Sequence, residues 1–322
     1  MRSNILVQDW AKDWMEIATA GKGQSHKDSI RNAVNNHILP HIGDIPLCEV
    51  NYADVSLVLA AASAYSYSLR SKILINMRGM FEVARRSRLI SENPCDGLKA
   101  GPRQYKEKSA LSKAQQEMLE AAVRGTRAET FVLLGLYTGM RREEILGLMW
   151  DCVDLRAEVP FLSVRRALRW EHNRPCVSEV LKSSAARRII PIPERLLVHL
   201  ESLRRSGSHV IGGDAPLTQT QFKNLWGFIE RRTVSDPSDL GTCLKHSTVE
   251  RCLDFRVTPH QLRHTYITRL VASGANIKHV QYLAGHSDLK MTLQVYTHIM
   301  NENPAAFCGD VYAAFDSAKA AF

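Results

Sequence analysis

The segment "TPHQLRHTYITRLVASG", residues 258–274, sets a histidine and an arginine where an anion could be held. Thr258 is a helix-capping residue type, and Pro259 suits the first helical position. His260 and Arg263 then stand three apart on one face of the opening turn. The backbone N–H groups of that turn have no intrahelical partner, and they favour a phosphate. His260 and His264 also share the i, i+4 spacing of a metal pair. No glutamate follows the first histidine, and a guanidinium between the two rings would repel a cation, so the metal reading is set aside. The stretch "GHSDLKMTLQVYTHI", residues 285–299, carries His286 and Tyr296. Taken alone, Tyr296 reads as a half-buried aromatic or as a nucleophile. In "YTGMRREEILGL", residues 137–148, Arg141 follows a glycine at a helix junction and Glu144 comes three residues later.

In this order the three segments form a set that resembles the tyrosine recombinase family, of the phage integrase and conjugative-transposon integrase type. The family pattern is T-G-x-R-x-x-E, then H-x-L-R-H, then L-G-H, then Y-t-H. A lysine on a strand turn completes it. In "SEVLKSSAARRIIPIP" Lys182 stands nine residues before Pro191, ahead of an R-x-x-P strand, although the turn lacks the frequent K-T-K form. Ala284 departs from the usual leucine before Gly285 and is expected to lie outside the contacting set.

The resemblance implies cleavage and rejoining of DNA through a 3′-phosphotyrosyl bond with a free 5′-hydroxyl. Arg141 and Arg263 would bind the non-bridging phosphate oxygens with planar forks that stay charged. Tyr296 would attack. A free tyrosine has a pKa of about 10 and needs help at neutral pH. His260 would take its proton, Lys182 would protonate the leaving 5′-oxygen, and His286 would donate to a non-bridging oxygen. Glu144 would orient an arginine from behind. No metal, cofactor or ATP is implied. Tyr137, Tyr266 and Tyr282 fall in apolar helical patterns and are expected to pack.

The elements that must position these residues divide the chain. Residues 5–20 place Leu6, Trp10, Trp14 and Ile17 on one helical face. A second helix is read up to Pro40, a third opens at Asn51 and Asp54, and a fourth runs through "SYSLRSKILINMRGMFEVARRSRLI" with Leu74, Met77, Phe81 and Ala84 inward. Arg70, Lys72, Arg78, Arg85, Arg86 and Arg88 lie along this fourth helix and its end, and could track DNA phosphates. The stretch "SENPCDGLKAGPRQYKEKSA" is the best linker candidate. Between about 159 and 192, "VPFLSVRRALRW", "CVSEVL" and "RRIIPIP" read as three short strands, the last two joined by "KSSAA". The fold class is therefore mainly α with a small antiparallel β-sheet. Residues 1–100 form an all-helical core-site DNA-binding domain, 101–110 a linker, 111–302 the catalytic domain and 303–322 a tail. In that tail Phe307, Val311, Phe315 and Ala318 form an apolar stripe that would dock on a neighbouring protomer.

The chain has 322 residues and a net charge of +9, an excess that favours polyanions. Seven scattered cysteines without a C-x-x-C pair argue against a disulfide framework or a zinc knuckle. There is no signal peptide and no apolar run of about 18 residues. A soluble, cytoplasmic protein is expected. The expected partners are double-stranded DNA at attachment or core sites, copies of the chain in a tetramer, and an excisionase or host DNA-bending factor. Integration or excision of a mobile element is the primary reading. The competing readings are a non-catalytic DNA-binding protein on the same scaffold, a Xer-like resolvase or invertase, and a type IB topoisomerase. No arm-binding domain is visible before residue 5. Either the protein works without one, or the chain begins after it.

Overall fold

A computed structural model describes residues 5–103, 109–171, 173–179, 181, 184–230, 253–293 and 295. Lys182, Tyr296 and the tail 303–322 lie outside the described residues. The chain divides into two compact units, Met1–Glu107 and Lys108–Phe322.

The first unit is helical: α1 Val7–Thr19, α2 Gln24–Ala33, α3 Leu39–Ile42, α4 Tyr52–Ala61 and α5 Tyr67–Arg86. The buried face of α1 is Val7, Trp10, Ala11 and Trp14, while Ile17 is exposed. The Trp10 indole N–H donates to the Met80 carbonyl at 3.1 Å, and this bond fixes the rotation of α1. Pro40 does not stop the second helix. A π-helical turn at Val34–Ile38 widens the backbone just before it, and the helix continues to Ile42 with Pro40 in a first turn, where no N–H is needed. Asn51 and Asp54 form a reciprocal capping box at the start of α4.

The glycine- and proline-rich stretch after α5 is not all linker. Cys95 and Leu98 are buried in the first core, and the Asn93 side chain bridges the Arg78 carbonyl and the Cys95 N–H.

The second unit contains α6 Lys113–Val123, α7 Glu129–Thr138, α8 Arg142–Leu146, α9 Glu194–Ser202, α10 Gln219–Glu230, α11 Pro259–Ala272 and α12 Ile277–Ala284. Its core gathers Phe131, Leu133, Leu134, Leu162, Ile190 and Leu262 among others. The strands are β1 Val153–Asp154, β2 Phe161–Val164, β3 Ala167–Glu171, β4 Arg174–Ser178 and β5 Arg188–Pro191. They make two antiparallel sheets, β1-β2-β5 and β3-β4.

The expected strand over 159–170 is therefore two strands, and the expected hairpin through "KSSAA" does not pair. β4 pairs with β3, while β5 returns to β2 with Leu162 opposite Ile190 and Val164 opposite Arg188. The break falls at Arg166, whose guanidinium turns aside to both oxygens of Asp151 at 2.8 Å. No described helix is long and apolar enough to cross a membrane.

Candidate active site

The site is assembled around the carbonyl end of α12. A helix C-terminus carries unsatisfied carbonyls and partial negative charge, so it attracts cations. Three guanidiniums from distant parts of the second unit meet three consecutive carbonyls there. Arg188 Nε donates to Leu283 O at 2.7 Å, Arg263 Nη2 donates to Ala284 O, and Arg141 Nη2 donates to Gly285 O at 2.7 Å. Ala284, expected outside the contacting set, belongs to it through its backbone carbonyl, while its side chain is buried with Ile267, Val271 and Val280. Gly285 caps α12 in the left-handed region at φ +61, and a Cβ there would lie 2.9 Å from Arg188 Nη1. Glycine is required both by the turn and by the guanidinium beneath it.

Each arginine is placed by its own element. Arg141 precedes α8, just after Gly139 ends α7 at φ +60, and a Cβ on Gly139 would collide with the Tyr266 ring. Thr258 caps α11 through the Gln261 N–H, with Pro259 at the helix start, and one further turn brings Arg263 inward. Its Nη1 donates to Gly139 O at 2.6 Å, tying α11 to the turn that carries Arg141.

Glu144 is the common acceptor. Its carboxylate takes the Arg141 backbone N–H and Nη1, both at 2.8 Å, and Arg188 Nη2 at 2.8 Å. Burial opposes the charge of Glu144, but Arg188 and Arg141 outweigh it and hold the carboxyl below its ordinary range. Burial, then the Arg141 guanidinium, push Arg263 down to about 9, still well above neutrality. Three guanidiniums against one carboxylate leave a surplus of two positive charges in a largely buried cluster.

His286 follows directly on Gly285 and is buried, with Nδ1 2.9 Å from Thr292 Oγ1. Burial lowers its pKa to about 4, helped by the charges of Arg263, Arg141 and Arg188 and by His260. The ring is therefore neutral at pH 7. If Thr292 donates to Nδ1, the proton sits on Nε2, which becomes a donor. His260 is exposed in the first turn of α11, near enough to His286 to repel its charge.

The three comparison tyrosines are engaged elsewhere. The Tyr137 hydroxyl donates to Glu120 at 2.8 Å and Tyr266 packs on the Ile267–Val280 cluster. Tyr282 does not pack as expected: it is 50% exposed, and its hydroxyl reaches back over β5 to accept the Ile189 N–H. Among the described residues no His, Cys, Asp and Glu group could hold a metal ion.

The six basic residues read along the fourth helix of the sequence, now α5 and its end, are not one free stripe. Arg70 and Arg78 donate to the carbonyls of Pro102 and Leu98, and Arg85 and Arg86 share Glu82. Lys72 and Arg88 are exposed.

The phage integrase family model matches residues 109–303, and the phage integrase central domain model matches residues 7–101. The chain belongs to the phage integrase family. A relative in Caldanaerobacter subterraneus subsp. tengcongensis, a XerC-like tyrosine recombinase, is 27% identical over 244 residues, which span 70% of this chain and 60% of that protein. The integrase of the Tn1549 transposon, solved in complex with transposon right end DNA, is similar in fold at TM-score 0.76 and 20% identity, covering 95% of this chain and 99% of that one. A lambda integrase tetramer bound to a Holliday junction gives TM-score 0.64 at 16% identity, covering 91% of this chain and 77% of that one.

Two residues of the cluster in this family member escape a reading of the sequence. Arg188 is visible as the first residue of R-x-x-P, but nothing in the strand pattern says that it points inward. Thr292 lies six residues after His286, with no signal beyond its short polar side chain.

Proposed function

We propose that the chain is a site-specific DNA recombinase that cuts and rejoins double-stranded DNA through a covalent bond to Tyr296, integrating or excising a mobile element. The observation that carries this reading is the surplus positive charge of Arg141 and Arg263, held rigidly beside a neutral histidine. A phosphodiester passing through a five-coordinate state needs its non-bridging oxygens neutralised, and preorganised donors do this without reorganising during the reaction. Arg141 and Arg263 supply the charge, and His286 Nε2–H adds a neutral hydrogen bond. The Tyr296 oxygen attacks phosphorus and its proton passes to His260. The 5′-oxygen leaves with a proton from Lys182. A 5′-hydroxyl from a second duplex then reverses these steps, and the phosphotyrosine conserves the bond energy.

Support for Tyr296 comes from the motif order and from its neighbour Val295, which packs on the cluster of α11 and α12. Support for Lys182 is its place before the R-x-x-P strand. Residues 1–100 would grip the DNA, 101–110 would link, 111–302 would catalyse, and 303–322 would dock on another protomer. A tetramer on DNA is the assembly proposed, as a lambda integrase tetramer is seen bound to a Holliday junction. An excisionase or DNA-bending protein would set direction, and the work would be done in the cytoplasm.

The test is a nicked duplex carrying a site selected from random sequence by binding to the full chain. Wild-type protein should form a covalent protein–DNA band that a chelator does not affect, and Tyr296→Phe should form none. A band of equal strength in Tyr296→Phe would reassign the nucleophile.

A further inference from the structure

Arg188 has no part in the chemistry just described, yet its side chain is 0% exposed. A guanidinium so enclosed is tolerated only when its N–H groups find acceptors. Those of Arg188 reach Leu283 O at 2.7 Å, Ala186 O at 2.9 Å, and the two Glu144 oxygens at 2.8 and 3.3 Å. It therefore touches both halves of the site. Through Glu144 it meets Arg141, and through Leu283 it meets the helix end from which His286 departs. The turn at Gly285 packs directly against its Nη1 and Cζ.

We infer that Arg188 is a positioning residue for strand cleavage: without reaching DNA, it locks Glu144 against Arg141 and α12 beneath His286. The inference rests on the recombinase reading above. Arg188 and Arg141 compete for Glu144. With Arg188 present, the carboxylate divides its oxygens between two cations, and the Arg141 fork stays spread between Glu144 and Gly285 O. Without Arg188, a buried carboxylate faces one partner. It either takes up a proton or draws the Arg141 guanidinium to itself, and each outcome misplaces the group that meets the phosphate. A lysine could keep the charge but not the planar fork that reaches a carboxylate and two carbonyls together.

The test combines single-turnover cleavage of the nicked duplex with affinity for the same duplex and a thermal melt. Arg188→Met should lower the cleavage rate on the order of 10²–10³-fold, while affinity and a cooperative melt are retained. Its pH profile should gain a limb, absent from wild-type protein, that falls on acidification as Glu144 protonates. The double variant Arg188→Met with Glu144→Gln should lose that limb and recover part of the rate, because no carboxylate is left to take up a proton or to draw Arg141 away. Should Arg188→Met fail to fold, Arg188→Lys should fold and give an intermediate rate at unchanged affinity.

Wild-type cleavage by Arg188→Met would overturn the inference. Cleavage and affinity falling in parallel, in Arg188→Met or in Arg188→Lys, would overturn it as well. If wild-type protein forms no Tyr296-dependent adduct, it is the recombinase reading that fails.

Discussion

Two arginine–glutamate clusters, one in each unit, use the same side chains in opposite ways. On α5, Arg85 and Arg86 share Glu82, with the arginine side chains 45% and 75% exposed. Hydrogen bonds from Arg85 and then Arg86 draw Glu82 down to about 2, but all three groups face solvent. Such pairs are screened, exchange readily, and contribute little to stability. In the second unit Glu144 lies between Arg141 and Arg188, with Glu144 3% exposed and Arg188 fully enclosed. There the charges cannot rotate away, and removing one partner strands the others. The exposed cluster leaves its arginines open to solvent. The enclosed one holds Arg141 in a fixed geometry from behind, and preorganised charge is what a transition state rewards.

That contrast can be broken from the strong end downward. Arg263→Ala and Arg141→Ala should each reduce strand cleavage by on the order of 10²–10⁵-fold, read as single-turnover adduct formation. Losses below tenfold would mean that the cluster does not meet the scissile phosphate. Glu144→Ala leaves the enclosed Arg188 guanidinium without its carboxylate, and the half-buried Arg141 with it, and should cost about 3–5 kcal/mol in denaturant unfolding of the second unit. A change indistinguishable from that of a surface substitution would show the pair to be solvated.

His286 supplies a pH test. Its folded pKa is about 4 against 6.5 for the free side chain, so the unfolded chain binds the proton first. The stability it contributes is complete above pH 6.5 and is lost as pH falls toward 4, on the order of 3 kcal/mol in all. Compared with His286→Asn, wild-type protein should show the steeper loss in that window, and parallel profiles would contradict the shift. The smallest effect belongs to α5. Arg86→Ala should leave the thermal transition unchanged and lower the salt slope of DNA binding by about 1 if Arg86 meets a phosphate.

How much of this was legible in the sequence depended on whether the signal was local. The caps at Asn51 and Thr258 and the left-handed glycines 139 and 285 are written in adjacent residues. The residues of the candidate site that lie in ordered motifs could be named for the same reason. Arg188 could not. In "RRIIPIP" alternation puts Arg188 and Ile190 on one face and Ile189 on the other without saying which is inside, and β5 buries Arg188 with Ile190 and leaves Ile189 exposed. An inward charge makes sense only beside Glu144, which is 44 residues away in sequence. The strand pairing failed likewise: a run from 159 to 170 looks continuous until Arg166 finds Asp151. Thr292 gains meaning only when His286 is folded against it. The alternation of side chains names faces, but the partner across the core decides which face is inside.

The most direct measurement is mass spectrometry of the trapped adduct after digestion with nuclease and protease. A nucleotide linked through its 3′-phosphate to the peptide that contains Tyr296, with a free 5′-hydroxyl on the released strand, is the predicted result. A nucleotide on any other residue, or a 5′-phosphate on the released strand, would contradict the account.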